Sequence, residues 1–205
     1  MSSDTSKDQS GQGAAFAPIG GALRANHKEV NRSKRRAKAL LRHIPPNGVG
    51  AEIGVFWGHF SERLLAWYEP KTLHLVDPWD RLHGDFFPDW GDYTDFGRLS
   101  AHQAKSDVYE IANRYPDIVQ VHESYSGEFL DDLPDQSLDW VYLDAIEAKL
   151  KDDGIIFGDD YYLNEKSKHH GVLRAVNEFA HRTGRKLVLE DNYQYVLLPR
   201  DAKRP

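Results

Sequence analysis

The chain has 205 residues, of which 40% are hydrophobic and 12% aromatic, so it is long and apolar enough to fold around a sizeable core. Its formal net charge of −6 disfavours general attraction to nucleic acid or to an anionic membrane surface. It contains no cysteine, which excludes disulfides and thiolate chemistry. It also has neither a membrane-spanning apolar run nor a signal-peptide pattern, so we expect a cytoplasmic protein.

The first 46 residues precede the main predicted domain and fall into two parts. Residues 1–21 are rich in Ser, Gly, Ala and Gln without apolar periodicity, which predicts a disordered or mobile tail. Residues 22–46 predict a basic helix that ends at Pro45-Pro46. We favour a helix that packs on the domain by its few apolar residues and is otherwise solvated over a nucleic-acid-binding one, because the total charge is acidic and no aromatic side chains are interleaved for base stacking.

The segment from Gly50 to Ser61 predicts a strand over residues 49–55, a glycine turn and the start of a helix. Gly54 allows a sharp turn, and Gly58 allows a ligand or the helix to approach the strand closely. The helix N-terminus can accept the negative end of a ligand. Glu52 is an acid within an apolar strand and therefore needs a cation or a hydrogen-bond donor as partner. A turn that binds no ligand is the alternative.

A second predicted strand, residues 72–77, ends in Asp77. Its distance in sequence from Gly54 is about that between a glycine turn and the carboxylate that binds ribose hydroxyls in a βαβ unit. We favour this ribose-binding role over a turn or helix-cap role ahead of Pro78. The following residues 79–97 alternate aromatic and acidic side chains with too many Gly and Pro for a helix. This loop forms either a substrate wall or a cover over the core.

The remaining segments continue the alternation of helices and strands. The predicted helices span residues 99–115 and 171–180, with a further helix starting near Ser126, and the predicted strands span residues 118–121, 139–144, 155–161, 187–190 and 193–198. Asp144 ends the fourth strand, and Asp159 and Asp160 lie at the end of the fifth. Because open α/β sheets bind ligands at the carboxyl edge, these carboxylates predict a Mg²⁺ site. Helix caps and solvent-facing acids are the alternative.

The connection between the fourth and fifth predicted strands is unusually short. Only residues 145–150 separate Asp144 from Lys151, whereas a parallel crossover normally needs a dozen or more residues. Either this segment is truncated or residues of a loop are absent from the sequence, and we favour the second explanation. His169 and His170 stand in as candidates for the general base, with a loop or helix-start role as the alternative for each.

The pattern Glu-Ile-Gly-Val-x-x-Gly followed by Leu-Val-Asp-Pro-Trp resembles the class I S-adenosylmethionine-dependent methyltransferases. The resemblance covers residues 49–199 and is closest to the macrocin-type sugar O-methyltransferases. It implies a Rossmann-like doubly wound α/β fold: a seven-stranded sheet, mostly parallel with an antiparallel C-terminal strand, and helices on both faces. In this family the motif-one acid and glycines hold the methionine end of the cofactor, the second-strand acid holds the ribose, and a polar residue after the third strand reads the adenine.

The resemblance therefore predicts S-adenosylmethionine binding by residues 47–205, and the predicted cofactor-binding residues are Glu52, Gly54, Phe56, Gly58, Ser61, Asp77 and Ser124. It implies a catalytic role for Asp144 and Mg²⁺ bound by Asp144, Asp159 and Asp160. The family's Asp-x-x-His-x-Tyr segment is absent here, so the catalytic candidates His169 and His170 stand in for its histidine and do not match its motif. The expected reaction is methylation of a hydroxyl on a small molecule, such as a sugar or natural product. The cation would lower the pKa of that hydroxyl. The expected partner is this small-molecule substrate, with neither nucleic acid nor a membrane, and a homo-oligomer is left open.

Two other functional classes are retained as alternatives. An NAD(P)-dependent oxidoreductase is disfavoured, because the dinucleotide-binding motif requires a glycine at the position that Phe56 occupies. A non-catalytic cofactor-binding or RNA-binding protein is kept open by the basic helix and the short crossover.

Overall fold

Seven strands form a single mixed sheet in the order β3-β2-β1-β4-β5-β7-β6 in the computed structural model. The structure describes residues 27–40, 42–142, 149–164, 166, 170–191 and 193–202. The strands are β1 (Val49–Ile53), β2 (Thr72–Val76), β3 (Val119–His122), β4 (Leu138–Tyr142), β5 (Leu150–Gly158), β6 (Lys186–Glu190) and β7 (Gln194–Leu198). Strands β1 to β5 pair in parallel, and β7 runs antiparallel to both of its neighbours. This arrangement confirms the predicted fold class.

Helices flank the sheet on both faces. They are α1 (His27–Leu40), α2 (His59–Tyr68), α3 (Asp80–His83), α4 (Ala101–Arg114), α5 (Ser126–Asp132) and α6 (His170–Thr183). A short 3₁₀ helix spans Gly91–Thr94. The predicted loop over residues 79–97 thus contains two short helical turns. Each is four residues long, below the length at which helical periodicity can be recognised in a sequence.

The hydrophobic core has two halves, one on each face of the sheet. On one face, side chains of α1, α2 and α4 pack against β1, β2 and β4, and Leu40, Leu64 and Val108 are fully buried there. On the other face, α5 and α6 cover Ala51 and Val141. Helix α1 shares the first of these cores, and its backbone accepts a hydrogen bond from the Tyr68 hydroxyl at 2.8 Å. The basic helix is therefore an integral layer of the domain.

The sheet topology places a crevice at the carboxyl ends of β1 and β4. From β1 the chain crosses to β2 on one side, and β4 lies on the other side, which makes this position a topological switch point. Glu52 and Tyr142 are register partners across β1 and β4. Register partners in parallel strands point to the same face, so these two side chains both face the layer that contains α1.

Strand β5 begins at Leu150, five residues earlier than predicted, and pairs with β4 in parallel. Residues 143–148, which include Asp144, lie outside the described residues, as do His169 and the whole of the predicted N-terminal tail. His170 is the first residue of α6, and its side chain is likewise not described. Within the described ranges, no helix is both long and apolar enough to cross a membrane.

Candidate functional site

A cavity of about 700 Å³ opens at the carboxyl ends of β1, β4 and β5. Its volume is in the range of small-molecule and cofactor sites. The lining combines the turn after β1, two arginines of α1, the aromatic segment after β2 and the acids after β5. Several of the predicted cofactor and metal residues are found here, together with others that the sequence did not single out. The predicted residues among them are Glu52, Gly54, Phe56, Asp159 and Asp160, five in all.

The turn after β1 depends on left-handed backbone conformations. Gly54 and Gly58 have φ angles of 83° and 81°, and Phe56 between them has a φ of 57°. A Cβ atom at Gly58 would lie 2.6 Å from Ile111 Cδ1, so this glycine allows α2 to approach α4 closely. A Cβ at Gly54 would meet nothing within 4 Å, because Gly54 faces the cavity. The two glycines therefore have different roles: Gly58 allows close packing of two helices, and Gly54 borders the cavity.

Glu52 is a buried acid that has a hydrogen-bond donor but lacks a full ionic partner. Ser61 Oγ donates a hydrogen bond of 2.6 Å to Glu52 Oε2, and both residues are almost completely buried. Burial raises the pKa of Glu52 to about 8, although the Ser61 hydrogen bond and the charge of Arg36 act in the opposite direction. Glu52 is therefore protonated at neutral pH and would ionise when a cation enters the cavity beside it.

Asp77 holds the turn rather than lining this cavity. Its two carboxylate oxygens accept hydrogen bonds from the backbone amides of Phe56, at 2.8 Å, and of Trp79, at 2.7 Å. The Trp79 indole in turn donates to the Phe56 carbonyl at 2.8 Å. Burial raises the pKa of Asp77, and the two backbone hydrogen bonds oppose this effect. The structure thus assigns Asp77 a turn-stabilising contact, and the ribose contact stays a prediction.

Ser124 also lies outside the cavity lining. Its hydroxyl oxygen is buried and forms no hydrogen bond with the described residues, so it is available to a ligand that reaches the end of β3. The neighbouring Glu123 is engaged by Lys105 at 3.2 Å and by the Tyr109 hydroxyl at 2.8 Å. The adenine contact predicted for Ser124 stays a prediction.

Two arginines of α1 reach into the cavity, which corrects the expectation of a solvated helix face. Arg36 has a side-chain exposure of only 13% and is ion-paired with Asp159. Arg32 contacts the same carboxylate at 3.0 Å and approaches Asp160 at 3.8 Å. Arg32 and Arg36 lie four residues apart and so share one helix face, next to the buried stripe that packs on the sheet. That spacing was a signal in the sequence, but it did not reveal which element the arginines would meet.

The aromatic segment after β2 supplies one wall of the cavity. Trp90 and Tyr93 line it, and the Tyr93 ring stacks on the Phe56 ring with centroids 4.3 Å apart. Phe86 and Phe96, by contrast, are 57% and 59% exposed. Part of this segment therefore borders the cavity and part of it lies at the surface.

Among the predicted magnesium ligands, Asp159 does not fit a cation site. Asp159 faces two guanidinium groups, which would repel a divalent cation. No group of three or more His, Asp or Glu side chains among the described residues is arranged to hold a metal ion. Asp144, the third predicted ligand and a predicted catalytic residue, lies outside the described residues, so the predicted Mg²⁺ site stays a prediction.

His59 and Tyr142 line the cavity and were not predicted. His59 is buried, its Nε2 has no hydrogen-bond partner among the described residues, and burial lowers its pKa to about 4. The imidazole is therefore neutral at pH 7. The buried Tyr142 hydroxyl is also unpartnered in the described part of the chain, and burial raises its pKa to about 12. Both groups are polar atoms that a ligand could satisfy.

Comparisons with known proteins reveal relatives by fold alone. No protein-family model matches the chain, and no curated protein sequence matches it. Among solved structures, it is similar to a candidate S-adenosylmethionine-dependent methyltransferase from Methanococcus maripaludis, with a TM-score of 0.56 and 11% identity over 88% of this chain and 90% of that one. It is also similar to precorrin-6y C5,15-methyltransferase from Geobacter metallireducens, with a TM-score of 0.50 and 15% identity over 89% and 92%.

A third similar structure is a candidate O-methyltransferase from Klebsiella pneumoniae, with a TM-score of 0.50 and 13% identity over 90% of this chain and 93% of that one. At these identities the similarity establishes the fold, a Rossmann-like sheet of the methyltransferase type. It does not extend to the branch within that fold.

Proposed function

We propose that this protein is an S-adenosylmethionine-dependent methyltransferase that acts on a hydroxyl group of a small molecule. The observation that carries the proposal is the position of Glu52. It is a buried acid with a pKa of about 8, set in the cavity beside the turn at Gly54, at the switch point of the sheet. Such a group is complementary to a cation, and the cofactor's amino-acid end carries an ammonium.

Other residues near the carboxyl ends of the strands fit the same cofactor. Gly54 presents open space rather than a side chain, and the backbone after it leads into the N-terminus of α2. The Ser124 hydroxyl is a buried polar atom without a partner among the described residues. The fold is shared with proteins named as methyltransferases, one of which is named as a user of S-adenosylmethionine. When bound, this cofactor supplies an electrophilic methyl group on a positively charged sulfur.

The chain's own contribution is to hold, orient and shield the reactants. Glu52 would hold the ammonium, and the turn from Gly54 to Gly58 would support the adjoining part of the cofactor. Trp90 and Tyr93 present planar faces that suit a sugar ring or another flat acceptor, and they limit the access of water. Such positioning converts a bimolecular encounter into a reaction within one complex.

Several observations support an acceptor of small size. The cavity lies between α1, the turn and the aromatic segment, and its volume of about 700 Å³ leaves limited room beyond a nucleoside-sized cofactor. One structure with the same fold is named as a candidate O-methyltransferase. A magnesium-assisted step is not included in the proposal, since Asp159 is paired with Arg32 and Arg36.

Isothermal titration with S-adenosylmethionine, S-adenosylhomocysteine and NADH tests the proposal. We expect both sulfur-containing ligands to bind with one site per chain and NADH not to bind. A matched pair of variants sharpens the result. Glu52→Gln, which cannot ionise, should weaken binding of S-adenosylhomocysteine, whereas Glu110→Gln, on the exposed face of α4, should leave it unchanged. Binding of NADH but of neither sulfur ligand would refute the proposal and favour an oxidoreductase.

A further inference from the structure

One end of the cavity contains three polar groups whose chemistry is complementary to a zwitterion. Glu52 and Tyr142 are register partners on neighbouring strands and point to the same face of the sheet. Arg36 comes from α1 and covers this pair, with its guanidinium carbon 5.8 Å from the centroid of the Tyr142 ring. All three residues line the cavity. An acid, a guanidinium and a hydroxyl therefore meet at one place although they lie on three different elements.

The guanidinium of Arg36 has donors left over for a second anion. It uses Nη2 for its ion pair with Asp159. A guanidinium carries five N–H donors in a planar fork, so one ion pair through Nη2 does not use all of them. The side chain is held in place by the rings of Phe60 and Tyr142, at 6.0 and 5.8 Å. A carboxylate would therefore find a preorganised partner here.

The Tyr142 hydroxyl is the second unsatisfied group. It is buried and has no hydrogen-bond partner within the described ranges, a state that costs free energy unless a ligand supplies an acceptor. Arg36 acts electrostatically on both Tyr142 and Glu52, so the three groups share one local field. A ligand that brought only a cation to Glu52 would leave both the guanidinium edge and the hydroxyl without a partner.

We propose that Arg36 and Tyr142 form an anion subsite that receives the α-carboxylate of the cofactor's amino-acid end, while Glu52 receives its α-ammonium. This inference rests on the proposed function, since it names the part of the methyl donor that these residues recognise. It gives α1 a direct role in cofactor binding. It also separates the two arginines, because Arg32 lies nearer the aromatic wall, 5.9 Å from the Tyr93 centroid, and thus on the acceptor side.

The alternative is that Arg36 serves only to hold α1 on the domain through Asp159. The two possibilities differ in what they predict for ligands that vary at a single group. A purely structural arginine would affect all ligands of the cavity alike. An arginine that binds the carboxylate would affect only ligands that carry one.

The test is a binding cycle that pairs a ligand change with a protein change. S-adenosylhomocysteine and its decarboxylated analogue, which keeps the ammonium, are titrated into the wild-type chain and into Arg36→Met. We expect the wild type to prefer S-adenosylhomocysteine by about 10- to 100-fold, the range for one charge-assisted hydrogen-bonding pair. In Arg36→Met this preference should fall to about threefold or less, with little change in the affinity for the analogue.

Two further variants complete the design. Arg35→Met removes the same charge from an exposed position on the same helix and should leave the preference intact. Tyr142→Phe keeps the ring and removes only the unpartnered hydroxyl, so it should fold normally and reduce the preference by about 3- to 10-fold. If Arg36→Met does not fold, Tyr142→Phe decides the question.

Each outcome has a distinct meaning. Equal wild-type affinity for the two ligands would overturn the inference but leave the proposed function standing. The inference would also be overturned if Arg36→Met lowered the affinity for both ligands equally and Tyr142→Phe had no effect. That result would identify Arg36 as structural. Failure of the wild type to bind S-adenosylhomocysteine at all would instead refute the proposed function.

Discussion

Ligand binding at Glu52 should release a proton, and the variant Glu52→Gln should abolish that release. The pKa of Glu52 in the ligand-free protein is about 8, mainly because the carboxyl group is buried. At pH 6.5 such a group is protonated in about 97% of molecules. When the ammonium of S-adenosylhomocysteine lies beside it, the charged form is favoured and the proton leaves. We therefore expect close to one proton to be released per ligand at pH 6.5 and about half a proton at pH 8.

Calorimetry in buffers with different ionisation enthalpies measures this number directly. The observed binding enthalpy is plotted against the ionisation enthalpy of the buffer, and the slope is the number of protons exchanged. The wild type should give a slope of magnitude near one at pH 6.5, and Glu52→Gln a slope near zero. A wild-type slope near zero, or an unchanged slope in Glu52→Gln, would refute the argument that Glu52 is protonated before the ligand binds.

The same shift determines how the stability of the ligand-free protein depends on pH. Since the folded pKa of Glu52 lies above its ordinary value of 4.5, the folded state binds more protons than the unfolded state between pH 4.5 and about 8. The contribution of Glu52 to stability is therefore fully present below pH 4.5 and is lost as the pH rises towards 8. The accumulated change has an upper bound of about 5 kcal/mol. Glu52→Gln should lack this decline in urea titrations at pH 5 and pH 8, and parallel declines in both proteins would contradict the assignment.

Three further predictions concern the framework of the site, and urea unfolding measures each. Gly58→Ala should lower the free energy of unfolding by at least about 1–3 kcal/mol, because its Cβ would lie 2.6 Å from Ile111 Cδ1 at a φ of 81°; wild-type stability would contradict the packing role. Asp77→Asn should lower the free energy of unfolding by about 1–3 kcal/mol, since one of the two backbone amides that donate to this side chain loses its acceptor. Unchanged stability would argue that these hydrogen bonds contribute little. Trp57→Phe should cost a similar 1–3 kcal/mol, because the buried Asp107 loses an indole donor at 2.7 Å, and the exposed Trp67→Phe serves as the control.

Local sequence patterns were sufficient to predict the fold and the glycine turn after β1. The alternation of helices and strands predicted seven strands in the positions observed, within a few residues at most ends, and the terminal antiparallel pair was identified. Glu52, Gly54 and Phe56 were recognised because they lie in one short segment, where spacing in the chain is also spacing in space. The largest error in boundaries was at β5, which starts at Leu150 although residues 152 and 153 are both acidic. Those acids are exposed at the end of the sheet, where pairing of the backbone tolerates them.

The opposite end of the cavity could not be predicted in the same way. Arg32 and Asp159 are 127 positions apart, and their contact at 3.0 Å depends on how α1 is laid across the sheet. From the sequence, the basic helix was assigned to solvent and the acids to Mg²⁺, each by its own local rule. In the structure the two sets of charges meet and pair. A rule that treats one segment at a time cannot detect such a pairing, because the energy of an ion pair depends on distance through space and not along the chain.

The sequence by itself determined the order of elements, the glycine turn and the acid that borders the ligand space, since these follow from backbone conformation and short-range periodicity. Only the tertiary structure decided that Asp77 clamps the turn through two backbone amides and that α1 delivers Arg36 next to Tyr142 and Glu52. The physical reason is the same in both cases. The burial and the partners that set the charge state of these groups come from distant segments, and packing brings those segments together only in the folded chain.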